Sequence, residues 1–121
     1  MPETHPQPSE RSRKIIEGMV DLHVHVAPDV MERRVTDVEL ARKFKERGLH
    51  GFVLKSHYTP TGERASSVTQ AAQGAIAYGA ITLNGAVGGM NAVAVEVAAR
   101  SGALVVWMPT VDAANQRSSS A

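Results

Sequence analysis

Four short apolar runs alternate with segments of helical periodicity, and this alternation limits the possible folds more than any other feature of the chain. The runs are VDLHVHV, HGFVLKSH, AITLNG and ALVVWMP, which begin at residues 20, 50, 80 and 103. The segments between them are short enough to cross from one strand to a parallel neighbour as a helix. The sequence therefore predicts an α/β fold of alternating β-α units, with a parallel sheet and right-handed crossovers.

Four strands and three helices are half of an eight-stranded (β/α)8 TIM barrel, which typically takes ~250 residues. The 121 residues of this chain also suffice for a small open α/β sheet. The spacing of the elements favours neither reading, so a partial barrel and an open sheet both stay possible. In either fold, ligands bind at the carboxyl ends of the parallel strands.

Two helices carry sequence signals at their first residues. Thr36 is the predicted N-cap of the helix that follows the first strand, and Glu39 completes a capping box with it. Thr61 is the predicted N-cap of the next helix, which the pattern extends over residues 64–79. The third strand is then expected over residues 80–85.

Both ends of the chain differ in composition from the middle. Residues 1–13 are polar and carry three prolines, so we expect a flexible polar leader. Residues 113–121 are polar and rich in serine, which predicts a tail with no packed core. The partial barrel domain is therefore expected over residues 14–112, where the strand and helix pattern lies.

Composition argues against several classes of function. Thirteen basic and twelve acidic residues leave a net charge of +1 with no basic stripe, so we expect no nucleic-acid partner. The absence of cysteine excludes disulfides and thiolate metal sites. No apolar run is long enough to span a membrane and no signal peptide is evident, so we expect no membrane partner and a cytoplasmic location. The expected partner is a small-molecule substrate.

The first strand carries a His-x-His pair, His23 and His25, two residues after Asp21. Side chains alternate across a strand, so Asp21, His23 and His25 are expected to share one face. Two imidazoles at a strand end can bind one divalent metal, with zinc most favoured and manganese, iron or nickel also suitable. Asp21 is then a candidate to accept a hydrogen bond from a ligand imidazole and so to orient its ring. The alternative is two half-buried histidines that bond to the main chain.

Polar residues at the other strand ends are further candidates. Lys55 and His57 follow the second strand and are predicted catalytic groups, although a solvent-directed lysine and a loop histidine are the plain alternatives. Asn84, Asn91 and Thr110 are predicted substrate-binding residues. Asn91 also suits the N-cap of the helix that precedes the fourth strand. Trp107 and His50 are interpreted as structural.

These motifs carry a resemblance. DLHVHVAPD resembles the first-strand signature of the amidohydrolase superfamily, metal-dependent hydrolases on a (β/α)8 barrel. The chain is most similar to a poorly characterised amidohydrolase-like branch in which GFVLKSH, TLNGAVGGMN and VVWMPT recur in this order. The resemblance runs from about Gly18 to about Asn115. It implies a barrel of which this chain is the N-terminal half, with His23 and His25 as metal ligands.

The resemblance has gaps that bear on activity. Superfamily members often place a bridging lysine or glutamate on the fourth strand, and ALVVWMP has neither. Their further ligands come from strands five, six and eight, which this chain lacks.

We therefore predict a metal-dependent hydrolase of the amidohydrolase type, or an N-terminal fragment of one. In such an enzyme a metal-activated water attacks a carbonyl or phosphoryl centre. The alternative is a non-catalytic α/β domain with a vestigial or weak metal site. A half-barrel leaves strand edges open, so self-association or completion by the missing half is expected.

Overall fold

The computed structural model of the chain describes residues 6–119. The helices are α1 (Glu10–Ile15), α2 (Asp37–Glu46), α3 (Gly62–Ala72), α4 (Ala92–Arg100) and α5 (Ala114–Ser119). The strands are β1 (Val20–Val24), β2 (Gly51–Leu54), β3 (Ile76–Thr82) and β4 (Ala103–Trp107). Helix α1 crosses the predicted boundary between residues 13 and 14, and α5 lies in the predicted tail. No helix in the described part of the chain is long and apolar enough to cross a membrane.

All four strands are parallel and lie in the order β1-β2-β3-β4. Each of the helices α2, α3 and α4 connects two neighbouring strands, because the order in the sheet equals the order in the chain. The predicted α/β fold of alternating β-α units is confirmed, and its arrangement is that of a partial (β/α)8 barrel.

The main apolar core lies between the sheet and helices α2 and α3. Phe52 and Leu54 of β2 are fully buried there, together with Ala41 of α2 and Val68 of α3. The ring of Phe52 packs edge-to-face on Phe44, with 5.4 Å between the ring centroids. Burial of a side chain of this size contributes about 1.5–3 kcal/mol. A second, smaller cluster under α4 contains Ile81, Leu83 and Ala98.

The predicted capping residues have different roles in the structure. Thr36 accepts from the Glu39 N–H and Glu39 accepts from the Thr36 N–H, which confirms the capping box. Thr61 is the N-cap residue of α3, as predicted, but its side chain makes no capping hydrogen bond. Its buried hydroxyl instead donates to the Leu54 carbonyl at 2.7 Å and accepts from the Ala80 N–H at 2.8 Å. Thr61 thereby joins β2 to β3.

Helix α3 ends earlier than predicted. It stops at Ala72, and residues 76–82 form β3 where the sequence predicted helix as far as residue 79. Gln73 adopts a left-handed conformation with φ 49°, which turns the chain. A Cβ on Gly74 would lie 2.4 Å from the Ala41 carbonyl oxygen, so the turn packs tightly on α2. This tertiary contact ends the helix and starts the strand.

A β-bulge in β1 changes which side chains share a face. Asp21 pairs with Phe52 and Val24 with Leu54, so Leu22 and His23 together lie opposite the single residue between them on β2. The prediction that Asp21 shares a face with His23 and His25 is therefore wrong. Asp21 lies on the helix side, where its neighbours include Lys43, Phe44 and Arg47. The histidines lie on the opposite side of the sheet, which we call the inner face.

The inner face has an apolar lower half, at the amino ends of the strands. A groove there is lined by Val20, Leu22, Val53, Tyr78, Leu104 and Val105. Leu22 is 61% exposed and Leu104 is 70% exposed. The upper half, at the carboxyl ends of the strands, is polar.

Candidate metal and anion site at the carboxyl ends of the strands

Five side chains meet at the upper half of the inner face, and we call them the mouth cluster: His23, His25, Lys55, His57 and Trp107. The Nε2 atoms of His23 and His25 lie 3.0 Å apart. The ring of His57 stacks on that of His25, with centroids 4.7 Å apart. The ring of Trp107 lies 5.3 Å from that of His23, and Lys55 Nζ lies 4.1 Å from the Trp107 centroid. Strands β1, β2 and β4 thus bring their carboxyl ends to one place.

The two histidines of β1 are placed to share a proton or an ion. At 3.0 Å, one Nε2 can donate to the other, or both lone pairs can bind a common cation. Burial, and then the charges of His57, Arg33, His23 and Lys55, lower the pKa of His25 to about 4. His25 is therefore neutral at pH 7 and retains a lone pair, as a metal ligand requires.

Asp21 does not contact an imidazole ring. Its Oδ1 atom accepts from the main-chain N–H of His23 at 3.0 Å. The carboxylate therefore holds the bulged main chain from the helix side, and any influence on the His23 ring passes through the backbone.

The described residues of this site supply fewer ligands than a metal ion usually has in a protein. His23 and His25 supply two imidazole nitrogens, which suits zinc and its neighbours in the first transition series. Within residues 6–119, no group of three or more histidine, aspartate and glutamate side chains is arranged to hold a metal ion. The Nδ1 atom of His25 is buried and has no hydrogen-bond partner among these residues.

Lys55 is a buried cation with no acidic partner in the described part of the chain. The residue is 8% exposed, and its ammonium group lies over the Trp107 ring. Burial lowers the pKa of Lys55. The structure places Lys55 at the carboxyl ends of the strands, as the sequence predicted. Trp107 was interpreted from the sequence as structural, but in the structure it belongs to the mouth cluster. The position of Trp107 at the last residue of β4 was the available signal.

Asn84 connects the loops that follow three strands. Its amide is 1% exposed and donates from Nδ2 to the His57 carbonyl at 3.1 Å and to the Thr110 hydroxyl at 2.8 Å. Its Oδ1 atom accepts from the main-chain N–H groups of Thr110 at 2.8 Å and Asp112 at 3.3 Å. The structure therefore gives Asn84 a positioning role, because its amide is engaged by the protein itself.

The remaining predicted residues separate into two groups. Thr110 belongs to the mouth, since its hydroxyl lies 2.7 Å from His57 Nδ1. Burial and the positive charge of Lys55 lower the pKa of His57. Asn91 caps α4 by accepting from the Ala94 N–H, and it donates to the Val87 carbonyl. Both of these bonds lie within the segment around α4, so substrate binding by Asn91 stays a prediction.

Asp29 and Arg33, in the loop after β1, were not found by sequence reasoning. The Asp29 side chain is 4% exposed and accepts from Arg33 Nε at 2.6 Å and from the Val30 N–H at 2.7 Å. Burial alone would raise the pKa of Asp29, but the bonds from Arg33 and Val30 outweigh it and lower that pKa. Asp29 also borders a cleft of about 320 Å³ together with Ser56 and Tyr58. An acidic residue directly after the His-x-His strand was the signal available.

Comparison with known proteins gives a family. A family model described as a family of unknown function, DUF6282, matches residues 18–121. The chain belongs to this family. No curated protein and no solved structure matches it.

The DUF6282 match covers the whole site. It contains β1 with its His-x-His pair, the mouth cluster, and the Asn84 and Thr110 network. It also contains the segment 113–121 that composition marked as a tail, including α5. Membership of DUF6282 assigns no reaction, so the chemistry has to be argued from the side chains.

Proposed function

We propose that this chain carries the first metal ligands of a metal-dependent hydrolase site of the amidohydrolase type. The observation that carries the proposal is the 3.0 Å separation of His23 Nε2 and His25 Nε2 at the carboxyl end of β1. The resemblance of DLHVHVAPD to the first-strand signature of that superfamily supports it. Zinc is the favoured ion, with manganese, iron and nickel as further candidates.

A divalent metal in this position would supply a water of lowered pKa and would polarise a carbonyl or phosphoryl oxygen. The residues of the chain would have three different roles around this metal. His23 and His25 hold the ion through Nε2. His57 is the candidate for proton transfer, because Thr110 engages its Nδ1 atom and leaves Nε2 to face a reacting group. Lys55 holds a positive charge at the mouth. A cytoplasmic location stays part of the proposal.

A second candidate is a non-catalytic α/β domain with a weak metal site. One specific observation favours it: the part of the chain that the structure describes supplies only two converging ligands. Two imidazoles alone bind a metal less tightly than three or four ligands do. The two candidates therefore differ in metal affinity and in turnover.

Metal binding by the full chain tests the proposal directly. The purified protein would be loaded with zinc and dialysed, and retained metal would be measured by elemental analysis for wild type and for His23→Ala/His25→Ala. We expect the double variant to lose the retained zinc. His50→Ala is the matched control, because His50 bonds the Tyr78 hydroxyl at the amino end of the sheet. Equal zinc content in wild type and the double variant would place any metal elsewhere.

Turnover then separates the two candidates. Zinc-loaded protein would be assayed against amide, ester and phosphoester substrates, with and without a chelator. Chelator-sensitive hydrolysis that is absent from the double variant supports the hydrolase. Zinc retention without hydrolysis of any substrate supports the non-catalytic domain.

A further inference from the structure

We propose that Lys55, Thr82 and Trp107 form an oxyanion-binding subsite beside the histidine pair, which receives carboxylate or phosphoryl oxygens of the substrate. The assignment of this anion to a substrate rests on the proposed hydrolase function. The subsite itself is argued from three strands of the sheet.

Register places the three side chains together. Thr82 of β3 pairs directly with Trp107 of β4, so both residues point to the same face of the sheet. That face is the inner one, because the Trp107 ring contacts His23. Lys55 follows β2 and its Nζ atom lies 4.1 Å from the centroid of the Trp107 ring, so its side chain crosses β3, the strand that carries Thr82. The three side chains therefore occupy neighbouring positions on the inner face of the sheet.

All three side chains have hydrogen-bond capacity that no other side chain or main-chain group within residues 6–119 uses. Thr82 Oγ1 and Trp107 Nε1 are buried and have no partner within residues 6–119. Within the same residues, the partner of Lys55 Nζ is the face of the Trp107 ring, which accepts no conventional hydrogen bond. Buried polar groups nearly always find partners. An ammonium, an indole N–H and a hydroxyl are together satisfied by a ligand that only accepts hydrogen bonds.

The charges around the subsite favour the same ligand. Lys55 and Arg33 are the positively charged side chains around it. The neighbouring carboxylate, Asp29, is already bonded to Arg33. A ligand that brings negative charge gains from this surplus, whereas a cationic ligand would be repelled. Carboxylate and phosphoryl groups share the required chemistry, and their different sizes and charges allow them to be separated experimentally.

The chain contains its own reporter, because Trp107 is its only tryptophan. Metal-free protein would be titrated with inorganic phosphate and, separately, with acetate at constant ionic strength, while the fluorescence of Trp107 is followed. We expect a saturable change, and the anion that saturates at the lower concentration identifies the preferred group. For Lys55→Met we expect binding about ten-fold weaker or more, the size of one lost charge-assisted hydrogen bond.

Two further variants keep the test decisive. Thr82→Val preserves the shape of a buried side chain and should weaken binding several-fold even if Lys55→Met fails to fold. Lys14→Met, on the exposed helix α1, is the charge-matched control and should bind as wild type does. Equal affinity in wild type, Lys55→Met and Thr82→Val, or a change that never saturates, would overturn the subsite.

Because the anion titration uses metal-free protein, its result can be separated from that of the zinc experiment. The His23→Ala/His25→Ala protein should lose zinc but keep saturable anion binding. Loss of anion binding in Lys55→Met with zinc retention unchanged would support the subsite. Failure of zinc retention in wild type would remove the hydrolase proposal and leave the anion result standing.

Discussion

The Nδ1 atom of His57 lies 2.7 Å from the hydroxyl oxygen of Thr110, although 53 positions separate the two residues in the sequence. The same hydroxyl receives a hydrogen bond from Asn84 Nδ2 at 2.8 Å. The orientation of the His57 ring therefore depends on a residue of the loop after β4 and on an amide at the end of β3. His57, Asn84 and Thr110 come from three different β-α units.

This contact predicts a difference between two substitutions of Thr110. Thr110→Val removes the hydroxyl and leaves both His57 Nδ1 and Asn84 Nδ2 without that partner, so we expect a loss of about 1–3 kcal/mol in the free energy of unfolding. Thr110→Ser keeps the hydroxyl and should cost less. Urea denaturation of the two variants measures the difference. Identical stabilities would show that the hydroxyl bond contributes little.

The buried Asp29–Arg33 pair predicts a pH-dependent contribution to stability. The pKa of Asp29 is lowered in the folded chain, because the bonds from Arg33 and the Val30 N–H outweigh the effect of burial. A carboxyl with a depressed folded pKa adds stability above its unfolded pKa of ~3.9 and loses it as the pH falls through the folded value. Asp29→Asn should therefore cost about 1–3 kcal/mol at pH 7 and progressively less below pH ~4.

Denaturation of wild type and Asp29→Asn at pH 7, 5 and 3 measures this contribution. Glu96→Gln is the control, because the Glu96 side chain is 64% exposed in its pair with Arg100 and should change stability by less than about 1 kcal/mol. A gap between wild type and Asp29→Asn that stays constant from pH 7 to pH 3 would contradict the prediction.

The apolar groove on the inner face predicts how the chain behaves in solution. Leu22 and Leu104 are mostly exposed there, and a large apolar surface of this kind favours association. We expect the isolated chain to sediment as a concentration-dependent mixture, with Leu22→Ser/Leu104→Ser shifted toward the monomer. Val93→Ser is the control, since Val93 is equally exposed but lies on α4. A wild-type chain that is monomeric at every concentration would contradict this prediction and the expectation of self-association.

The parts of the fold that local sequence determines were predictable. The Thr36–Glu39 capping box depends on residues three positions apart, and it formed as expected. The parallel order of strands follows from apolar runs joined by short helical segments, so it too could be read from the chain. His23 and His25 were placed at one site because they lie so close in sequence.

Other features depend on contacts between distant residues, which periodicity does not encode. The end of α3 is set by the packing of Gly74 against Ala41, and the pattern alone continued the helix. The face of Asp21 is set by the pairing of β1 with β2, where a bulge interrupts the alternation. Trp107 joined the site because Lys55 reaches it from another strand. Each of these was missed for the same physical reason.

The bulge in β1 also determines how deep the mouth is. In a regular strand, consecutive residues point to opposite sides, so the interior could receive Leu22 or His23 but not both. With two residues opposite one on β2, Leu22 joins the apolar groove and His23 joins the mouth cluster. An apolar floor therefore begins one residue below the histidine pair. Anything that enters from the carboxyl ends of the strands would meet apolar side chains just past the imidazoles.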